Sequence, residues 1–249
     1  MKEKIYTIPV TEAYEADCVC PLCFLEERLE KEAIEYALGA AMMEPDYRVA
    51  SNEKGYCNKH FERMFRCRNK LSLALVLETH LEELRKKLDA YDKEIQTLKD
   101  GKTGLFKKSG AGETAKKISA LLSENESKCM ICEKINDTAK RYCKVLLYMW
   151  ANDEKFREKF SKSKGLCLKH ERMVLEAAPK ELNDTQLRGF LSELCNKQKS
   201  ELEKQQELLH KFVLKFDYRY RDMELGDAQT AVPDTIEKIS GYISADGEE

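Results

Sequence analysis

The chain has 249 residues, with 43 Lys and Arg against 45 Asp and Glu for a net charge of −2. Charge this balanced argues against a surface given over to nucleic acid or an anionic membrane, and no apolar run approaches the ~18 residues of a membrane helix. The 10 cysteines are too sparse for a disulfide-stapled secreted scaffold, while 11 Gly, 5 Pro and long runs of Glu, Lys, Leu and Ala favour helix over strand.

The segment Met1 to Val10 is too short and too charged to read as a secretory signal. Cys20-Pro21-Leu22-Cys23 follows, and beyond it Leu25, Leu29, Ala33, Tyr36 and Ala40 recur at the spacing of one helical face. Gly39 and Pro45 predict an irregular return to Gly55-Tyr56-Cys57-Asn58-Lys59-His60. A long helix is expected next, with Leu77, Leu81, Leu84, Leu88, Tyr91, Ile95 and Leu98 alternating steps of four and three. That heptad stripe predicts packing inside a bundle, with a homodimer through Leu77–Leu98 as the other use of it.

Asp100 to Gly112 carries four glycines among lysines and reads as a linker. It does not complete GxxxxGK[ST], and no apolar strand precedes it, so a nucleotide loop is rejected. Past it, Cys129-Met130-Ile131-Cys132 opens a second helical face of Ile135, Ala139, Tyr142, Leu146 and Met149. Asn152-Asp153-Glu154 predicts a cap for a short helix carrying Phe156 and Phe160. Gly165-Leu166-Cys167-Leu168-Lys169-His170 then leads to a long helix whose stripe from Leu187 to Phe216 is diluted by Gln198 and Gln205. Pro233 opens a possible terminal helix with Ile236, Ile239 and Ile243, expected to dock on the bundle.

Two copies of one unit account for this order. Both members of the first pair recur at an offset of 109 residues and both members of the second at 110. The expected organisation is a first unit at residues 1–99, a linker at 100–112, a second unit at 113–221 and an acidic tail at 222–249. The fold class is all-α: two pseudo-repeated helical units, each stapled by a Cys3His site, with long antiparallel or coiled helices.

Three thiolates and an imidazole suit tetrahedral zinc, and four protein ligands leave no open position for a substrate water. Two structural zinc ions are therefore expected, on Cys20, Cys23, Cys57 and His60 in the first copy and on Cys129, Cys132, Cys167 and His170 in the second. Each outward helix followed by its return is expected to bring a copy's own two pairs together. An iron–sulfur cluster is a further use of the same donors. Thioredoxin-type exchange at Cys20–Cys23 lacks its βαβ setting, and neither the covalent-haem nor the zinc-deaminase pattern is complete.

A centre of this kind carries about one net negative charge, which Lys59, Lys169, Arg63 and Arg172 are placed to offset. The same cations, with Arg66, Arg68, Lys70, Lys162 and Lys164, allow a phosphate or nucleic-acid site. Cys18 has Ser127 in its place in the second copy and is not counted as a ligand. Cys67, Cys143 and Cys195 read as small buried helix residues, and His80 and His210 as partly buried helix histidines.

On Lys4-Ile5-Tyr6-Thr7-Ile8-Pro9-Val10, Cys-Pro-Leu-Cys and Glu53 to His60, the chain resembles an uncharacterised family of bacterial, clostridial-type proteins. The resemblance spans nearly the whole chain and implies no activity, substrate or partner. No paired carboxylates near a His and no nucleophile motif point to catalysis. The expected function is a cytoplasmic, non-catalytic, zinc-stabilised helical protein that binds a protein partner. A nucleic-acid or phosphate binder and a thiol/zinc redox sensor are the alternatives.

Overall fold

The computed structural model describes residues 6–99 and 110–242, which contain eleven α-helices and no strand. Most of the expected linker and Ile243 lie outside the described residues; Gly110 already precedes a helix that includes Gly112. None of the helices described is long and apolar enough to cross a membrane.

The compact units do not follow the sequence repeats. One unit takes Met1–Leu29 with Ile135–Glu249, and the other takes Glu30–Lys134.

The first of these contains α1 (Thr7–Glu15), the start of α2 (Pro21–Leu38), most of α7 (Met130–Asn152), α8 (Glu154–Lys162), α9 (Leu168–Glu181), α10 (Asp184–Leu214) and α11 (Ala231–Ser240). The expected face of α7 is buried at every position from Ile135 to Met149. Asp153 caps α8 by accepting from the backbone N–H of Lys155 and Phe156, which satisfies two of the helix's orphan donors. That cap aims Phe156 and Phe160 into a core with Tyr14, Trp150 and Phe190, where Tyr14 meets Phe156 edge-on at 4.9 Å and Trp150 meets Phe190 at 5.0 Å. Aromatic edges on ring faces add specific attraction to the area buried.

The long helix expected straight after His170 is two helices. Leu182 ends α9 in extended backbone, and Asn183 with Gln186 forms a capping box that starts α10 afresh. The glutamines of its stripe are not simple dilution: Gln198 Nε2 donates to the Leu166 carbonyl, and Gln205 Nε2 donates to Ala231 and Thr235. The terminal helix α11 does pack on α9 and α10, but through Ala231 and Lys238, whereas Ile236 and Ile239 are exposed.

The second unit holds the rest of α2, α3 (Pro45–Lys54), α4 (Asn58–Arg66), α5 (Lys70–Lys99), α6 (Ala111–Ser127) and the start of α7. As Gly39 and Pro45 imply, a short 3-10 turn at Ala40–Met43 precedes α3, whose first residue is Pro45. Here too the helix after the Cys-x-x-His is broken, at Cys67–Asn69, where Asn69 donates to the Leu38 carbonyl and accepts from Ser72 N. The leucine heptad is not the fully buried face of α5. Leu73, Val76 and His80 are the fully buried row, and α5 packs on α3, while the heptad is mixed: Leu77, Leu84, Tyr91, Ile95 and Leu98 are partly buried, and Leu81 and Leu88 are 62% and 39% exposed.

Candidate metal centres

Each of the four Cys-x-x-Cys/His pairs straddles a helix start. Cys20, Cys57, Cys129 and Cys167 immediately precede α2, α4, α7 and α9, and the second member of each pair lies in the first turn. The sulfur at such a position faces free backbone N–H groups: His170 N lies 3.5 Å from Cys167 Sγ, and Cys132 N lies 3.5 Å from Cys129 Sγ. Helix N-termini favour thiolate over thiol. Before each Cys-x-x-His stands a glycine in the left-handed region, Gly55 at φ 64° and Gly165 at φ 79°. A Cβ at Gly55 would meet the His80 ring at 2.9 Å, so both conformation and space require glycine.

The structure overturns the expected pairing. Cys20 and Cys23 meet Cys167 and His170, and Cys57 and His60 meet Cys129 and Cys132, with the four donor atoms of each group within 4.8 Å of one another. Each centre therefore takes one pair from each copy. Helix lengths explain why. The outward α2 of 18 residues runs about 27 Å at 1.5 Å per residue, while the 10-residue α3 brings the chain back only about 15 Å. Cys57 and His60 return to α2 at Glu30, two turns beyond Cys23, and find the second copy's Cys-x-x-Cys there. In the second copy α7 has 23 residues against 9 in α8, with the same shortfall.

In the first centre His170 Nδ1 lies 3.1, 3.4 and 3.4 Å from the sulfurs of Cys167, Cys20 and Cys23, and Cys23 Sγ lies 3.5 Å from Cys167 Sγ. In the second, His60 Nδ1 lies 3.2, 3.2 and 3.4 Å from Cys57, Cys129 and Cys132, and Cys57 Sγ lies 3.7 Å from Cys132 Sγ. A tetrahedral ion with bonds of about 2.3 Å to sulfur and 2.0–2.1 Å to nitrogen sets its donors about 3.5–3.8 Å apart. The observed edges match this within a few tenths of an ångström, and they are far longer than the ~2.0 Å of a disulfide.

The electrostatics also fit a central cation. Hydrogen bonds from Cys20 and Cys23 hold Cys167 far below the usual thiol range against the effect of burial, while hydrogen bonds with Cys167 and Cys20, and burial, push Cys23 far up. Burial opposes a charged His170, but contacts with Cys167, Cys20 and Glu26 outweigh it and raise the ring to about 12. In the second centre burial opposes ionisation of Cys129, yet His60 and backbone N–H groups bring it down to about 6. Burial and the neighbouring sulfurs raise Cys132 to about 12. Like charges this close oppose one another, so three thiolates around one point are compatible with a multivalent cation among them.

Two residues that sequence reasoning passed over complete the arrangement. His170 Nε2 lies 3.1 Å from Glu26 Oε1, and His60 Nε2 lies 2.7 Å from Glu30 Oε1, with both carboxylates sealed from solvent on α2. The contacts are close without hydrogen-bond alignment. Lys169 Nζ pairs with Glu26 at 2.6 Å, Lys59 Nζ pairs with Glu30 at 3.2 Å, and Arg63 also pairs with Glu30. These cations are committed to the carboxylates behind the histidines. Arg172 instead pairs with Glu176 at the surface, and Lys164 with Asp17. The signal for the glutamates was present: both fall on the face of α2 that carries Leu22, Leu25 and Ala33.

The remaining candidates stay outside both centres. Cys18 donates to the Ala13 carbonyl at 3.6 Å and Cys143 is buried as expected, whereas Cys67, which donates to the Arg63 carbonyl, is partly exposed in the break after α4 and Cys195 is exposed, both against expectation. His80 is buried with Nδ1 3.0 Å from the Asn52 carbonyl, and His210 is exposed rather than partly buried.

The profile of a family of unknown function (DUF6062) matches residues 1–246. The chain belongs to that family. No curated protein and no solved structure is significantly similar to it.

Proposed function

We propose that this chain is a non-catalytic, cytoplasmic helical protein, stapled by two structural zinc ions, that acts by binding a protein partner. The observation that carries the reading is the pair of Cys3His groups whose donors already stand at tetrahedral spacing. Bound there, zinc supplies charge to hold three thiolates together, at binding energies of about 10–16 kcal/mol in small domains. Four protein donors fill the coordination shell, which supports a structural role over a catalytic one.

Free thiols arranged as ligands suit a reducing compartment, which supports the cytoplasm. A nucleic-acid or phosphate binder is less well supported, because Lys59, Arg63 and Lys169 are held by Glu26 and Glu30. Elemental analysis of protein purified without chelator tests the proposal. Two zinc ions per chain, with loss of helical cooperativity on chelation, is the expected result. A metal-free protein with an unchanged melt contradicts it.

A further inference from the structure

The two centres are built alike but protected differently. Cys20, Cys23, Cys167 and His170 are all buried, whereas Cys57 and Cys132 are both partly exposed. The chain around the first centre is also clamped. Lys197 Nζ donates to the carbonyls of Ser161 and Ser163, Lys238 Nζ to that of Lys164, and Gln198 to that of Leu166. At the second centre the corresponding turn is held by Met130 N donating to the Gly55 carbonyl at 3.1 Å, by His80 Nδ1 3.0 Å from the Asn52 carbonyl and by Lys54 paired with Glu133, so the difference between the centres lies in the exposure of their sulfurs. The two partly exposed sulfurs are neighbours, 3.7 Å apart, on pairs brought together from positions 75 residues apart.

We propose that the centre of Cys57, His60, Cys129 and Cys132 is an oxidation-sensitive, exchangeable metal site, and that Cys57 and Cys132 are its peroxide-reactive pair. This rests on the zinc reading above and goes beyond it by assigning the two centres different roles. Thiolate reactivity follows exposure as well as charge. One sulfur attacks a peroxide oxygen, breaking the O–O bond and becoming a sulfenic acid as hydroxide leaves and is protonated. The second sulfur then attacks the first, forming the S–S bond, and the displaced hydroxide leaves as water on taking a proton from solvent. Two thiolates have lost one electron each, and hydrogen peroxide has become two waters. Cys129 and His60 alone cannot retain the ion, which is set free, while the first centre keeps its own.

The test uses full-length zinc-loaded protein, with metal content measured first. Hydrogen peroxide is added in the presence of a colorimetric zinc indicator, and disulfides are mapped by peptide mass spectrometry. The expected result is release of one of two zinc ions in a fast phase together with a Cys57–Cys132 disulfide. Cys20, Cys23 and Cys167 should remain protected until the protein is unfolded. In parallel, limited alkylation of the unmutated protein should modify Cys57 and Cys132 before those three, with exposed Cys195 as the reference for a free surface thiol. Release of both ions in one phase, or earlier oxidation of the Cys20 group, overturns the inference while leaving the zinc reading intact. A protein that neither carries nor takes up zinc overturns both.

Discussion

Glu30 Oε1 lies 2.7 Å from Nε2 of His60, and neither side chain is more than 1% exposed. A carboxylate is not stable in such a place unless it is paired; Lys59 and Arg63 pair with it, and it stands behind the ring whose Nδ1 lies within 3.4 Å of three sulfurs. Carboxylates behind metal-binding histidines fix the tautomer and raise the basicity of the donor nitrogen. Glu30→Gln is expected to lower zinc affinity at that centre by about 10–100-fold and leave the other centre unchanged. Competition with a chelator of known affinity, read as one weakened ion out of two, checks it.

The left-handed turns before the two Cys-x-x-His pairs give a prediction of a different kind. Gly55→Ala forces an L side chain into a positive-φ, extended-ψ conformation that essentially only glycine adopts, at a cost of about 1–3 kcal/mol, and drives its Cβ into the His80 ring. Thermal unfolding should show at least that loss, with weaker metal retention by the Cys57 centre. Asn183→Ala removes only the cap of α10 and should cost about 1 kcal/mol with full retention of metal. Equal metal loss in both variants would count against the assigned roles.

Lys238 supplies the pH dependence. Burial lowers its pKa, although negative charge at Cys20, Glu201 and Cys167 works the other way. The unfolded chain, with an ordinary value of about 10.4, then binds the proton more tightly than the fold does. Stability contributed at this position therefore rises with pH through the window between the lowered pKa and about 10.4. In urea unfolding, wild type should gain on Lys238→Met as pH rises from neutral toward about 10. A difference between the two that stays flat across that range would contradict it.

The donors themselves were legible, because Cys and His at matched offsets of 109 and 110 residues have no other economical reading. Their partners were not. Identical spacing in both copies makes pairing within a copy and pairing between copies indistinguishable by motif, and the choice is made by how far α3 and α8 carry the chain back. Glu26 and Glu30 were hidden for a related reason: a charged residue on an apolar face is ordinarily read as its solvated edge. The α5 face was only partly legible: its fully buried row includes the polar His80, while the more regular leucine stripe is half-buried at five positions and exposed at Leu81 and Leu88. The helix breaks before α5 and α10 had a signal in Asn69 and in the Asn183 to Gln186 capping box.

The crossed pairing of Cys20 Sγ with His170 Nδ1, 3.4 Å apart across 150 residues of chain, is tested most directly by zinc counting in two double variants. Cys20→Ser with Cys167→Ser damages one centre twice, so the chain should keep one zinc ion. Cys20→Ser with Cys57→Ser damages both centres, so it should keep none. The opposite pattern, with the first variant empty and the second holding one ion, would mean that each copy closes its own site and would contradict this account.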